Sequence, residues 1–165
     1  MIRLARPTDR ARIEAIVEAA YSRYLARMDR KPAPMVDDYA GRIAGGQAYV
    51  LEEDGEVVGI LVLEDHLGDH GPGDHGPGNH GPDDHGGFLL LDNVAVDPAR
   101  HGKGLGRRLM DFAEAEARRR GHAAVELYTN EVMVENIALY LRLGYAETAR
   151  RKVAGYDRVY LRKAL

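Results

Sequence analysis

Apolar residues at Ile13, Ile16, Val17, Ala20, Tyr21, Tyr24, Leu25 and Met28 recur every three or four positions. That period places them on one face of a helix, opened by Pro7, Thr8 and Asp9, which start helices well. A short strand is expected before it at Ile2–Ala5 and a short helix after it at Val36–Ala44, stopped by Gly45-Gly46. Between the two helices Pro32 and Pro34 bar regular structure. Ala48–Glu53 and Val57–Glu64 read as strands joined through Asp54-Gly55, with Gly59 marking a bulge. Phe88–Val96 is almost continuously apolar, as in a central strand. A long helix over Gly104–Arg120, a strand over Ala123–Tyr128 and a helix over Glu131–Leu143 follow. Strands at Tyr145–Arg150 and Arg158–Arg162, turning at Ala154-Gly155, end the pattern. Strands and helices mixed in this order predict an α/β sheet with antiparallel hairpins at its flanks.

One stretch fits neither period. Gly68–Gly87 reads GDHGP GDHGP GNHGP DDHGG and has no side chain able to build a core. His70, His75, His80 and His85 recur at a spacing of five, with His66 just before. Imidazoles beside carboxylates suit zinc, nickel or copper. A duplicated surface loop that the fold tolerates is the other reading, since long insertions cost little free energy.

Composition narrows the function classes. At 165 residues, with 45% hydrophobic and 30% charged positions, the chain is expected to form one globular domain over 1–165. A net charge of −3 gives no reason to expect nucleic acid. Absence of cysteine excludes disulfides and a cysteine nucleophile and fits a cytoplasmic protein. No apolar run nears the length of a membrane span, and the N-terminus lacks the apolar centre of a signal peptide.

The chemistry concentrates in Phe88–Met110, FLLLDNVAVDPARHGKGLGRRLM. Gly102, Gly104 and Gly106 alternate at a helix start, where main-chain N–H groups lack intrahelical acceptors and the dipole favours anions. Lys103, Arg107 and Arg108 stand at the same end, where cations make sense beside a bound phosphate. The turn lacks the Lys-Ser/Thr of a P-loop, and Arg107 stands where a dinucleotide fingerprint needs its third glycine. A plain tight turn with solvated cations is the alternative.

VAVDPARHGKGLGRRLM resembles the acetyl-CoA motif of the GNAT N-acetyltransferases, a strand followed by R/Q-x-x-G-x-G/A and a helix. Asn136-Ile-Ala-Leu-Tyr140-Leu-Arg-Leu-Gly-Tyr145 resembles the second signature of that family, about thirty residues on. His101 departs from the usual Arg or Gln, although Arg100 is adjacent. The resemblance implies a GNAT fold: a mixed, mostly antiparallel sheet of six to seven strands, splayed at its middle and flanked by about four helices.

It also implies roles. Acetyl-CoA would lie along Val94, Ala95 and Val96, with its diphosphate on His101, Gly102, Lys103, Gly104, Leu105, Gly106, Arg107 and Arg108, and Asn136 bonded to its arm or to an ordered water. Val94 N–H would stabilise the oxyanion when an amine attacks. Tyr140 would protonate the leaving thiolate and Asp92, through water, would take the proton of the amine, with Glu126 and Glu131 in reserve. Tyr24, Arg27, Arg30, Met35, Tyr39 and Tyr128 would border the acceptor. The expected reaction is direct acetyl transfer to a primary amine of a small or amino-acid-like molecule, by a monomer or homodimer without nucleic acid or membrane partners. A non-catalytic acyl-CoA-binding module and a GNAT scaffold sensing metal through its histidine loop fit the same residues.

Overall fold

The computed structural model describes residues 1–67 and 87–165. The repeat histidines His70, His75, His80 and His85, and the metal site suggested for them, lie outside the described residues. Among the described residues no group of three or more metal-ligating side chains is gathered for an ion, and no helix is long and apolar enough to cross a membrane.

Strand β1 (Ile2–Leu4) precedes helix α1 (Arg10–Tyr21) and helix α2 (Tyr39–Ala44). Strands β2 (Ala48–Glu53), β3 (Glu56–His66) and β4 (Phe88–Val96) lead to helix α3 (Leu105–Arg119). Strand β5 (Ala124–Asn130), helix α4 (Val134–Arg142) and strands β6 (Ala146–Val153) and β7 (Tyr156–Ala164) complete the order. The strands form one seven-stranded sheet in the order β1-β2-β3-β4-β5-β7-β6. Its described ladders are antiparallel except for β4 with β5, and this is the mixed α/β architecture expected. By internal contact the chain divides into two units, residues 1–63 with 92–113 and residues 64–91 with 114–165.

In the first unit β1, β2 and the body of β3 form a meander, and Ile13, Ile16 and Val17 of α1 are fully buried. The Asp54-Gly55 turn takes positive φ at both residues, as a two-residue hairpin demands. The β2–β3 register slips between the Leu51–Gly59 and Glu52–Val57 pairs, so the irregularity lies beside the glycine that signalled it. A Cβ on Gly59 would stand 3.1 Å from Leu109 Cδ1 and 3.3 Å from the Ala95 carbonyl oxygen. Glycine there lets α3 lie close on the sheet.

Two helix boundaries differ from the pattern. Helix α1 stops at Tyr21 and tightens into a 3-10 stretch, Ser22–Arg27, although the apolar stripe runs on. The expected helix from Val36 splits into a 3-10 turn, Ala33–Val36, and α2, whose start is set by Asp38 accepting from Gly41 N–H at 3.1 Å.

In the second unit β5 pairs with Phe88–Leu91 of β4 on one side and, along its whole length, with Arg158–Ala164 of β7 on the other. The parallel ladder ends at Leu91–Leu127. Val125, Leu127, Val159 and Leu161 are buried, as is Ala117 of α3. Gly121 and Gly144 take positive φ and end α3 and α4. Buried Glu114 accepts from Lys163 Nζ at 2.9 Å and from the Tyr145 hydroxyl at 3.4 Å. Its carboxylate is thereby compensated.

Candidate active site

The glycine turn is held open by its own backbone. Gly102 and Gly104 have φ of +82° and +72°, and a Cβ at either would meet nothing within 4 Å. Here glycine serves conformation and access rather than packing. The first main-chain bond of α3 runs from Arg108 N–H to the Gly104 carbonyl at 3.1 Å. Among the described residues the N–H groups of Gly102 through Arg107 have no acceptor. Six successive donors without acceptors stand at the positive end of a fifteen-residue helix, the arrangement that favours an anion.

The approach to this turn is pinned. Asp97 Oδ1 accepts from Ala99 N–H at 3.0 Å, and its Oδ2 accepts from Arg12 Nη2 at 2.7 Å. The Ala99 bond, ahead of Arg12, holds the Asp97 carboxyl below its ordinary range. Arg12 also donates to the Val57 carbonyl at 2.9 Å, so α1 is tied to β3 as well.

The cations divide. Lys103 and Arg107 are exposed, and Arg107 lies only loosely by Asp111 at 3.9 Å. Arg100 donates to Glu56 at 2.6 Å, and Arg108 is ion-paired with Glu53. The Arg108 bond holds the Glu53 carboxyl below its ordinary range. Lys103 and Arg107 therefore stand readier to meet an anion than Arg108. His101 is exposed.

Beyond the parallel ladder, β4 continues through Asp92–Val96. Asp92 has a partner that its sequence position did not reveal: Arg42 Nη2 donates to Asp92 Oδ2 at 3.1 Å. Arg42 also holds Asp37 at 3.0 Å and the Gln47 side chain at 3.2 Å. Asn93, absent from the sequence-derived site, is 3% exposed and bonded on both ends of its amide. It accepts from the Tyr21 hydroxyl at 2.6 Å and donates to the Tyr39 oxygen at 3.1 Å. An uncharged polar residue in an apolar strand was the available signal. Tyr21 Oη also lies 3.3 Å from the Val94 carbonyl oxygen.

Of the residues expected near the acceptor, Met35 and Tyr39 line one cleft of about 360 Å³ with Glu14, Glu18, Lys31 and Asp37. Tyr39 is buried and donates to the Pro34 carbonyl at 2.5 Å. Tyr24 is buried away from that cleft, flanked by the Arg23 and Arg27 guanidiniums at 4.7 and 5.5 Å from its ring.

The remaining candidates belong to the second unit. Tyr140 is buried on α4, edge-on to Tyr145 at 6.2 Å between ring centroids. Asn136 is half-buried on the same helix, its amide 3.9 Å from Met133 Sδ. Glu126 is buried on β5 and accepts from Arg162 Nη1 at 2.5 Å. Tyr128 lies under the Arg158 guanidinium at 4.2 Å and beside Tyr160 at 5.9 Å.

Residues 44–147 match the family model described as an acetyltransferase (GNAT) domain. This chain belongs to the GNAT acetyltransferase family. By that membership it is an acetyl-CoA-dependent N-acetyltransferase. Solved structures share the fold over nearly their whole length. An acetyltransferase of the GNAT family from Streptococcus agalactiae superposes with a TM-score of 0.73 at 19% identity, over 100% of this chain and 95% of its own. The ribosomal-protein-S18-alanine N-acetyltransferase of Escherichia coli gives 0.67 at 20%, over 99% and 92%. A Salmonella typhimurium protein solved with its cofactor acetyl-CoA gives 0.65 at 24%, over 99% and 92%. A search of curated proteins finds no match.

The GNAT cosubstrate fits what the turn offers. A diphosphate needs several main-chain donors and room beside them; the N–H groups of Gly102–Arg107 have no acceptor among the described residues, and the space beside Gly102 and Gly104 is clear.

Proposed function

We propose that this GNAT protein moves the acetyl group of acetyl-CoA to a primary amine of a small or amino-acid-like acceptor by direct attack in a ternary complex. The observation that carries the cofactor half is the run of acceptor-less main-chain N–H groups at Gly102–Arg107. In this reading they hold the diphosphate, with Lys103 and Arg107 adding charge. Val94–Val96 pairs with the amide arm as an added strand edge. Val94 N–H faces the thioester carbonyl and stabilises the oxyanion.

Two proton transfers complete the reaction. An alkylammonium must lose a proton before it attacks, and the thiolate leaves more readily when protonated. We assign the second transfer to Tyr140 on its match to the family signature. For the first, Asp92 acts through water. Arg42 Nη2, 3.1 Å from Asp92 Oδ2, orients that carboxylate. Glu126, buried on β5, is the comparison.

For the acceptor, the cleft beside α1 carries Glu14, Glu18 and Asp37 with Lys31; Glu14 is paired with Arg10 and Asp37 with Arg42, so Glu18 is the carboxylate offered to a cationic amine in this reading. The Escherichia coli neighbour is named for acetylating a ribosomal protein, so the decisive screen pairs small amines with peptides bearing a free N-terminus. Acetyl-CoA consumption is followed through free thiol. Turnover of small amines at least tenfold above that of peptides supports the reading. Turnover of peptides alone replaces the acceptor, and thiol release with no acceptor reduces the protein to an acyl-CoA-binding module with slow hydrolysis.

A further inference from the structure

Asn93 occupies a place where packing alone calls for an apolar side chain. It lies in β4, is 3% exposed, and its neighbours in the strand, Leu89, Leu91 and Ala95, are buried too. Burying an amide is unfavourable unless its donor and acceptor are both satisfied. Here they are, and in one direction. The Tyr21 hydroxyl donates to Asn93 Oδ1 at 2.6 Å, Asn93 Nδ2 donates to Tyr39 Oη at 3.1 Å, and Tyr39 in turn donates to the Pro34 carbonyl at 2.5 Å. The middle member must accept on one side and donate on the other. Among side chains of this size asparagine does both without charge.

The chain of bonds joins three elements. Tyr21 closes α1, Asn93 lies in β4, and Tyr39 opens α2. The carbonyl at its end belongs to Pro34, in the 3-10 turn Ala33–Val36, none of whose residues is buried. The turn packs against α1 behind the buried Pro32, and the bond to the Pro34 carbonyl adds a polar tie from it to Tyr39. It carries Met35 into the cleft that Tyr39 also lines. Burial, ahead of the Asp37 charge, pushes the Tyr39 phenol upward, so it remains a donor at working pH.

We propose that the Asn93 carboxamide is a positioning residue for acetyl transfer, locking the acceptor-side segment 33–44 to β4 and fixing the main chain at Val94. The proposal rests on the reading that Val94 N–H stabilises the oxyanion. Reactants held in a near-attack geometry gain much of their rate from orientation, and a displacement of about 1 Å can cost about 100-fold. Loosening the lock therefore lowers kcat while leaving the diphosphate cradle, and so acetyl-CoA binding, unchanged.

The test uses the full chain. Asn93→Leu removes both bonds while keeping the branched shape of the side chain; Tyr21→Phe removes the first with the contact to the Val94 carbonyl, and Tyr39→Phe removes the second with the bond to Pro34. The proposal expects kcat to fall about 10- to 100-fold in Asn93→Leu, with the acetyl-CoA KM within about twofold of the parent. Adding Tyr39→Phe to Asn93→Leu should cost less than the sum of the two single losses, because the Asn93–Tyr39 bond is shared and only the Pro34 bond remains to be lost. Amide hydrogen exchange supplies a readout independent of turnover: residues 33–44 and Val94 should exchange faster in Asn93→Leu. Unchanged exchange, or a kcat within threefold of the parent in a folded variant, overturns the proposal. Additive losses overturn the claim of a single lock. A parent protein idle toward every amine, with exchange still accelerated in the variant, overturns the acetyl-transfer reading and the catalytic part of this proposal together. Normal parent turnover with unchanged exchange overturns this proposal alone.

Discussion

Glu53 at the end of β2 is ion-paired with Arg108 in the first turn of α3, so a carboxylate sits beside the glycine turn and neutralises one of the cations there. Both side chains are partly exposed, and their interaction is open to salt screening. Glu53→Gln should release Arg108 and lower the acetyl-CoA KM about two- to fivefold at low ionic strength. The gain should shrink as salt approaches physiological levels. Steady-state kinetics at two salt concentrations check this.

Two glycine substitutions should fail in opposite ways. At Gly104, φ is +72° and a new Cβ meets nothing, so Gly104→Ala costs only the torsional strain of about 1–2 kcal/mol. Its methyl would occupy the open space that the proposed diphosphate needs, and the acetyl-CoA KM should rise at least tenfold with a modest loss of Tm.

Gly59→Ala should behave the other way. Its Cβ would press on Leu109 Cδ1 at 3.1 Å and the Ala95 carbonyl at 3.3 Å. Overpacking of this kind costs about 1–3 kcal/mol. A large drop in Tm with a near-normal KM is expected from thermal unfolding and kinetics on the same preparation.

Tyr140→Phe keeps the buried ring and removes the phenol. General-acid catalysis contributes about 100- to 10,000-fold, so kcat should fall within that range while coenzyme A affinity is preserved. Asp92→Asn, which removes the proposed base, should lower kcat by at least about 100-fold. A loss above 100-fold in Glu126→Gln, with Asp92→Asn mild, would assign the base to Glu126.

Glu116 gives a stability prediction outside the site. Its buried carboxylate is bonded by Arg119 at 2.5 Å and Arg120 at 2.9 Å, which with Arg119 first hold its pKa down at about 2 against an ordinary 4.5. A carboxyl lowered in the folded state stabilises fully above its unfolded pKa and loses that contribution as pH falls toward the folded one. The stability gap between the parent and Glu116→Gln should be constant above pH 5 and close between about pH 4.5 and 2. Chemical denaturation across that range measures it.

How far the sequence reveals the molecule depends on how local each feature is. The glycine turn and both positive-φ hairpins were legible because a few adjacent residues determine them. The central strand and the helices of the second half were legible by period, give or take a few residues at the ends. The end of α1 was not, because side chains spaced by three satisfy an α-helix and a 3-10 stretch alike; Tyr24 is buried on the latter. Arg42 with Asp92 and Tyr39 with Asn93 were hidden by distance, being 50 and 54 residues apart. A strand carboxylate announces that it needs a partner, but not which one.

The central claim is that main-chain amides at Gly102–Arg107 grip the diphosphate of acetyl-CoA. Residue-resolved amide exchange of the full protein with and without coenzyme A tests it most directly. The account predicts strong new protection at Gly104–Arg107 and little change along Arg118–Arg120, the basic run at the far end of the same helix. Saturating coenzyme A that leaves the Gly102–Arg107 amides unprotected would contradict it.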